Sequence, residues 1–170
     1  MKRVLVAGIG NIFFGDDAFG CEVAAELAKR ALPDSVTVRD FGIRSYDLAY
    51  AMMDDYDVII LIDASPRGDV PGTLYLIEPE IGKNKLDEGA AEIVNAHSMS
   101  PVRALQMVRS LGSQPKKLYV VGCEPSVLEN EDGHIGLSER VSAAVEPAMN
   151  MIQKLIDDFS QTETVGPEEK

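Results

Sequence analysis

The sequence predicts an α/β domain in which helices cover both faces of a mostly parallel β-sheet. Short runs of apolar and β-branched residues lack the alternation of a half-exposed strand, which is typical of strands buried on both faces. These runs alternate with stretches whose apolar residues recur at helical spacing, as parallel strands with crossover helices require. A length of 170 residues suits a single domain with its own hydrophobic core.

The first half of the chain predicts two strands, each followed by a helix. Residues 3–7 (R-V-L-V-A) form the first strand, and residues 18–32 form a helix that ends before Pro33. Residues 36–39 predict the second strand. The next helix covers Ser45–Met53, with its serine as a plausible N-cap.

The second half continues the same alternation. The run V-I-I-L-I at 58–62 is the most strand-like segment of the chain, and 73–77 and 118–121 predict two further strands. Residues 78–96 are polar and weakly periodic, which predicts a long loop of the kind that is often functional. Residues 100–111 form a helix that opens with Ser-Pro.

The last helix is predicted to begin after a capping serine, Ser138. Its apolar face carries five residues at helical spacing: Val141, Val145, Met149, Ile152 and Ile156. Residues 160–170 have almost no apolar content and predict a disordered acidic tail. The folded domain is therefore expected to cover residues 1–159.

Composition argues against several classes of function. The formal net charge is −12, which disfavours binding to nucleic acid or to an anionic membrane, because both need cationic surfaces. No apolar run reaches about 18 residues, so no membrane span is expected. The start of the chain resembles a signal peptide, but Gly8 and Gly10 interrupt it too early, which favours the cytoplasm.

Two familiar kinds of site are not supported. The motif Gly8-Ile9-Gly10 has Phe13 where a dinucleotide fingerprint needs glycine, so these glycines are interpreted as a tight turn. Cys21 and Cys123 have no C-x-x-C neighbour, which predicts two buried free thiols rather than a zinc or redox motif. No G-x-S-x-G elbow occurs either.

Three residues at predicted strand ends or in loops form a candidate metal site: Asp17, Asp63 and His97. Ligands in such sheets bind outside the carboxyl ends of the strands, and two carboxylates with an imidazole suit a divalent cation. Each residue has a simpler explanation from spacing alone. Asp63 could cap a loop, Asp17 could cap the following helix in competition with Asp16, and His97 could be exposed. The second histidine, His134, is expected to bond backbone in a turn.

Taken together, several segments resemble the nickel–iron hydrogenase maturation endopeptidases. They are V-L-V-A-G-I-G-N-I-F-F-G-D-D-A-F-G, the strand I-I-L-I-D-A, the loop histidine His97, and K-K-L-Y-V-V-G-C-E-P followed by H-I-G-L-S. The likeness spans roughly residues 2–156 in the family's order. It implies a three-layer sandwich with a twisted, mostly parallel five-stranded sheet flanked by helices.

The resemblance also implies an activity. The family removes a C-terminal extension from the precursor of the [NiFe]-hydrogenase large subunit after nickel loading. Asp17, Asp63 and His97 fall on the family's metal-contacting and catalytic positions, although Asp17 stands where glutamate is common. The implied metal is nickel brought by the substrate, so the free enzyme is expected to be a metal-empty monomer.

The segment Asp40-Phe41-Gly42 falls where the family selects its substrate, and it departs from the common D-G-G-T pattern after Asp40. This departure suggests a different hydrogenase subgroup as the substrate. Two alternatives stay open at this point: a non-catalytic nickel-binding checkpoint that only docks on the precursor, and a nickel-independent peptidase resembling the spore-protein germination protease.

Overall fold

A computed structural model describes residues 1–81, 99–126 and 135–161. The strands in these ranges are β1 Val4–Ile9, β2 Val36–Gly42, β3 Val58–Ala64, β4 Leu74–Ile77 and β5 Leu118–Cys123. The α-helices are α1 Phe19–Leu27, α2 Ser45–Met53, α3 Pro101–Ser110, α4 Glu139–Ala143 and α5 Val145–Gln161. A short 3₁₀ helix, Gly15–Ala18, precedes α1.

The five strands form one sheet in the order β2-β1-β3-β5-β4. β1 pairs in parallel with β2 and β3, and β3 pairs in parallel with β5. The edge strand β4 runs antiparallel to β5. Every residue of β1, β3 and β5 is buried, because helices cover both faces of the sheet. The predicted mostly parallel five-stranded sheet is confirmed.

Two hydrophobic cores lie on opposite faces of this sheet and make the predicted three layers. In β1, Val4 and Val6 point to the core shared with α1, α4 and α5, whereas Leu5 and Ala7 point to the core shared with α2 and α3. The five apolar residues predicted for the face of the last helix all lie in the first core. The alternation of side chains along each strand thus places helices on both sides.

The predicted last helix is in fact two helices, α4 and α5, which Ala144 separates. Pro147 has no N–H to donate to the carbonyl of Ala143, so a continuous helix would lose a hydrogen bond there. α5 extends to Gln161, two residues into the segment predicted as a tail, and residues 162–170 lie outside the described ranges. No helix in the described ranges is long and apolar enough to cross a membrane.

The helix ends differ from prediction in small ways. Ser100 caps α3 as predicted, since its side chain accepts a hydrogen bond of 3.3 Å from the N–H of Arg103. Ser45 is the first residue of α2 rather than its N-cap, a position that Arg44 occupies. α1 ends at Leu27, five residues before the predicted end.

Glycines let α1 and the 3₁₀ helix lie directly on the sheet. Gly10 has a φ of 136°, and a Cβ atom there would lie 1.9 Å from the carbonyl oxygen of Asp17. A Cβ on Gly20 of α1 would lie 2.1 Å from the carbonyl oxygen of Ile62 in β3. Gly8, predicted as part of a turn, lies instead within β1, where it leaves room for Gly20. This close packing brings Asp17 to the carboxyl end of β3.

Candidate functional site

Asp63 is the penultimate residue of β3, which extends to Ala64, two residues beyond the predicted run 58–62. Only 5% of its surface is exposed, and its Oδ1 atom has no hydrogen-bond partner among the residues that the structure describes. Burial raises the pKa of this carboxyl group well above its usual value. The charge of Asp17 raises this pKa further, and a hydrogen bond from the Ala64 N–H only partly opposes the change. The Oδ1 atom is thus a buried acceptor that lacks a donor.

Asp17 supplies the second carboxylate of the site. It lies in the 3₁₀ helix after β1, and its Oδ2 atom accepts a hydrogen bond of 2.6 Å from the N–H of Asn11. Asp17 is not the N-cap residue of α1, because Ala18 occupies that position. Asp17 and Asp63 therefore interact as two like charges at the carboxyl edge of the sheet.

Asp16, the immediate neighbour of Asp17, has a different role. Its side chain is fully buried. It accepts hydrogen bonds from the N–H of Ser126 (2.8 Å), from the N–H of Ser138 (2.7 Å) and from the Ser138 hydroxyl (2.8 Å). Ser138 precedes α4 as predicted, but its hydroxyl bonds to Asp16 and makes no capping hydrogen bond to the helix. Asp16 thus ties the chain after β5 to the start of α4.

Cys21 on α1 reports on the electrostatics of the site. Its buried thiol donates to the carbonyl oxygen of Gly10 at 3.4 Å. Burial raises the pKa of this thiol strongly, and a hydrogen bond with Asp40 and the charges of Asp40, Asp17 and Asp63 raise it further. Three carboxylates thus act on one thiol, which stays protonated. Cys21 is therefore a buried free thiol, as predicted, and not a thiolate nucleophile.

The segment predicted to select the substrate forms a tight turn at the end of β2. The Oδ1 atom of Asp40 accepts a hydrogen bond of 2.9 Å from the N–H of Gly42, which has a φ of 55°. The Arg44 side chain donates to the backbone carbonyl oxygens of Asp40 and Phe41. Phe41 is fully buried in the core shared with α2 and α3, so it anchors the turn to the sheet. The side chains that this turn exposes are those of Asp40, Ile43 and Arg44.

The structure brings together two of the three predicted metal ligands, Asp17 and Asp63, with Asp40 nearby. His97 and His134 lie outside the described residues. Within the described ranges, no three His, Cys, Asp or Glu side chains are arranged to hold a metal ion. The structure therefore describes the two predicted carboxylate ligands, Asp17 and Asp63, but not the predicted histidine.

Comparison with known proteins identifies the family. A family model described as hydrogenase maturation protease matches residues 21–155, a range that includes Asp63 and His97 but begins after Asp17. A putative hydrogenase maturation protease from Methanocaldococcus jannaschii is 35% identical over 156 residues, which cover 89% of this chain and 94% of the relative. This chain belongs to the hydrogenase maturation protease family. The hydrogenase 2 maturation protease of Escherichia coli K12 is 32% identical over 155 residues, 88% of each chain.

Solved structures agree with this assignment. The hydrogenase maturating endopeptidase HybD from Escherichia coli aligns with a TM-score of 0.73 and 31% identity, covering 92% of this maturation protease and 93% of that chain. A hydrogenase 2 maturation peptidase from Thaumarchaeota archaeon SCGC_AB-539-E09 aligns with a TM-score of 0.69 and 32% identity, covering 92% and 99%. The predicted family, fold and endopeptidase activity are confirmed, and the non-catalytic alternative is not favoured. The roles of Asp17, Asp63 and His97 stay a prediction.

One buried acid of this maturation protease received no role from sequence reasoning. Glu124 follows β5 and is 4% exposed. It accepts hydrogen bonds from the N–H of Arg67 (2.8 Å), the N–H of Gly68 (3.1 Å) and the hydroxyl of Tyr75 (2.6 Å). Burial raises the pKa of Glu124, but these bonds and one from the Asp69 N–H outweigh it and hold the pKa below its usual value. An acid directly after an apolar strand was the available signal.

Proposed function

We propose that this maturation protease removes a C-terminal extension from the precursor of a [NiFe]-hydrogenase large subunit after nickel has been loaded. The observation that supports this most strongly is the buried Oδ1 atom of Asp63, which has no donor among the described residues and whose carboxyl group is repelled by the charge of Asp17. Such a pair is unfavourable in the free protein, and a divalent cation would neutralise both charges at once. The site is therefore suited to meet a cation that arrives with the substrate.

In this proposal Asp17, Asp63 and His97 are temporary ligands of the substrate's nickel. Carboxylate and imidazole donors suit a first-row divalent metal, and three ligands leave coordination positions for the precursor's own groups. The nickel belongs to the substrate, and the free protease is metal-empty. Contact with it would reveal that loading is complete and align the peptide bond to be cleaved.

Two routes to hydrolysis fit these side chains. The bound metal could lower the pKa of a water molecule, or Asp17 or Asp63 could act as the general base. The raised pKa of Asp63 brings this carboxyl closer to neutral pH, which suits a group that exchanges a proton. In both routes Asp17, Asp63 and His97 are the catalytic set.

Substrate choice is proposed to lie in Asp40, Phe41 and Gly42. Asp40 and the residues after Gly42 would contact the precursor, because their side chains are exposed. Phe41 would act through the shape of the turn, since its side chain is buried. We further propose a cytoplasmic monomer, and the two free thiols, Cys21 and Cys123, suit a reducing compartment.

Cleavage of matched precursors with and without nickel tests the proposal. Wild-type protease is expected to shorten only the nickel-loaded precursor, as read by intact-mass spectrometry. D17N, D63N and H97A should each abolish this shortening. Glu22→Gln is the matched control, because Glu22 is an exposed acid on the adjacent helix α1. This variant should cleave the nickel-loaded precursor like the wild type. Normal cleavage by all three site variants would refute the ligand set.

The same assay separates the alternatives. A protein that binds the nickel-loaded precursor without changing its mass would be a docking checkpoint. Cleavage of the nickel-free precursor at an equal rate would indicate a peptidase of the germination-protease type. Cleavage that depends on nickel supports the proposed function.

A further inference from the structure

Three consecutive large apolar residues are exposed in the turn after β1. Ile12 is 50% exposed, Phe13 is 61% exposed and Phe14 is 47% exposed. Single exposed apolar side chains are ordinary on protein surfaces, but a contiguous group with two aromatic rings is typical of an interaction site. No charged residue interrupts the segment from Gly10 to Gly15. In a chain with a net charge of −12, this turn is locally apolar.

The turn is held in one conformation by its own hydrogen bonds. The N–H of Phe13 donates to the side-chain oxygen of Asn11 at 3.0 Å, and the N–H of Phe14 donates to the backbone oxygen of Asn11 at 3.1 Å. An asparagine that bonds two residues ahead is a common means of fixing a turn. The apolar side chains are thus presented outward by a fixed backbone, which lowers the entropic cost of binding a partner.

Both ends of this turn are bonded to Asp17. The N–H of Asn11 donates to the Asp17 carboxylate at 2.6 Å, and the N–H of Asp17 donates to the carbonyl oxygen of Phe14 at 3.0 Å. A partner that contacts Phe13 and Phe14 therefore contacts the same short segment that orients a carboxylate of the site. The exposed rings lie beside the site and not at a remote surface.

The turn after β2 extends this apolar surface. The N–H of Gly10 donates to the carbonyl oxygen of Gly42 at 3.0 Å, which joins the two turns. Ile43, the residue after Gly42, is 53% exposed. We call Ile12, Phe13, Phe14 and Ile43 the apolar rim. It lies next to the segment proposed to select the substrate.

We propose that the apolar rim docks an apolar segment of the hydrogenase large-subunit precursor, close to the bond that is cleaved. This proposal rests on the proposed function. A second copy of this chain is a poorer occupant, because a protein seated on the rim would crowd Asp17 and restrict a protein substrate. A charged segment is also a poorer fit, since the four rim side chains are all apolar and the exposed charges of the neighbouring turn, Asp40 and Arg44, have opposite signs. The precursor can cover the rim and reach the carboxylates at the same time.

The test compares a rim variant with a control at the other edge of the sheet. The double variant Phe13→Ser/Phe14→Ser should raise KM for the nickel-loaded precursor at least about ten-fold and weaken its Kd to a similar extent. I43S should give a smaller loss in the same direction. Leu111→Ser is the matched control, because Leu111 is 45% exposed and lies after α3, on the chain that leads into the amino end of β5. It should leave KM and Kd unchanged.

The outcomes separate the two proposals. If wild-type protease cleaves the precursor and the rim variants keep the wild-type KM and Kd, the rim proposal is wrong and the proposed function stands. If wild-type protease binds the precursor but does not cleave it, the proposed function fails, and Kd alone decides on the rim. A wild-type dimer in sedimentation that the rim variants dissociate would show that a second copy occupies the rim. Thermal unfolding of each variant, with Tm near that of wild type, excludes misfolding as the cause.

Discussion

Two buried acids at the ends of adjacent strands, Asp63 in β3 and Glu124 after β5, have opposite surroundings. Glu124 accepts hydrogen bonds from two backbone N–H groups and a phenol hydroxyl, and its pKa is held below the usual value. Asp63 has an oxygen without a donor in the described part of the chain, lies close to Asp17, and has a raised pKa. The two residues are equally inaccessible.

Under the proposed function, this difference distinguishes a structural acid, Glu124, from a functional one, Asp63. A buried carboxylate that is supplied with donors contributes to folding, because each bond to a charged group is stronger than a neutral one. A buried carboxylate that lacks a donor and faces a like charge costs stability. Its cost is offset when a cation or a reacting proton occupies the site, and so the donor count distinguishes Glu124 from Asp63 in a way that burial does not.

The largest effect is expected at Asp63. If Asp63 is a ligand of the substrate's metal as proposed, Asp63→Asn should reduce precursor processing by about 1000-fold, because it removes the charge that binds the metal and a titratable group. The same substitution should raise the free energy of unfolding by about 1 kcal/mol, since it removes a desolvated carboxyl group that Asp17 repels. Intact-mass kinetics and urea denaturation measure the two quantities. A variant that loses both activity and stability would show that Asp63 is structural.

Glu124 should respond in the opposite sense. Glu124→Ala leaves the N–H groups of Arg67 and Gly68 without their acceptor and should lower the free energy of unfolding by about 3 kcal/mol. Asp69→Asn is the control, because Asp69 is an exposed acid of the same loop, and it should change stability little. Equal stability of the two variants in urea denaturation would show that Glu124 is not a structural acid.

Sequence reasoning placed Asp63 correctly at the carboxyl end of a parallel strand, since an apolar run followed by an acid is visible along the chain. The same pattern precedes Glu124, and nothing local tells the two apart. The backbone donors of Glu124 come from a loop 56 and 57 residues away, where the N–H groups of Arg67 and Gly68 point to its carboxylate. Donor supply is a property of the tertiary fold, which is why the role of Glu124 was missed.

Asp16 and Asp17 show the same limit at single-residue spacing. The sequence alone does not show which of the two aspartates is the acid of the site. Asp16 is assigned to structure by its hydrogen bonds with Ser126 and Ser138, which lie 110 and 122 residues away along the chain. The break between α4 and α5 is different, because Pro147 was visible in the sequence and favours the first turn of a new helix over the interior of a continuous one. The parallel sheet itself was predictable, since its buried strands carry an uninterrupted apolar signal.

The neighbours Asp16 and Asp17 should also differ in how much they contribute to the free energy of unfolding. Asp16→Asn should lower the free energy of unfolding by about 2 kcal/mol, because an amide cannot accept all the bonds from Ser126 and Ser138. Asp17→Asn should not destabilise the fold to this extent, since it relieves repulsion with Asp63. S138A, which removes one of the bonds to Asp16, should fall between these two in thermal or urea unfolding. A larger loss of stability for D17N than for D16N would reverse the assignment of the two aspartates.

The smallest effect is a difference in how the stability of the metal-free protein depends on pH. The pKa of Asp63 in the folded protein lies above its usual 3.8, so the folded state binds this proton more tightly than the unfolded state does. The contribution of Asp63 to the free energy of unfolding therefore falls as the pH rises from 3.8 to the raised pKa. The folded pKa of Glu124 lies below its usual 4.5, so its contribution is present above 4.5 and is lost as pH falls through the folded pKa. The stability advantage of D63N over wild type should therefore grow as the pH rises from about 4 towards neutral. Urea denaturation of both proteins across this range measures it, and a constant difference would show that Asp63 is already ionised in the folded protein at the acid end.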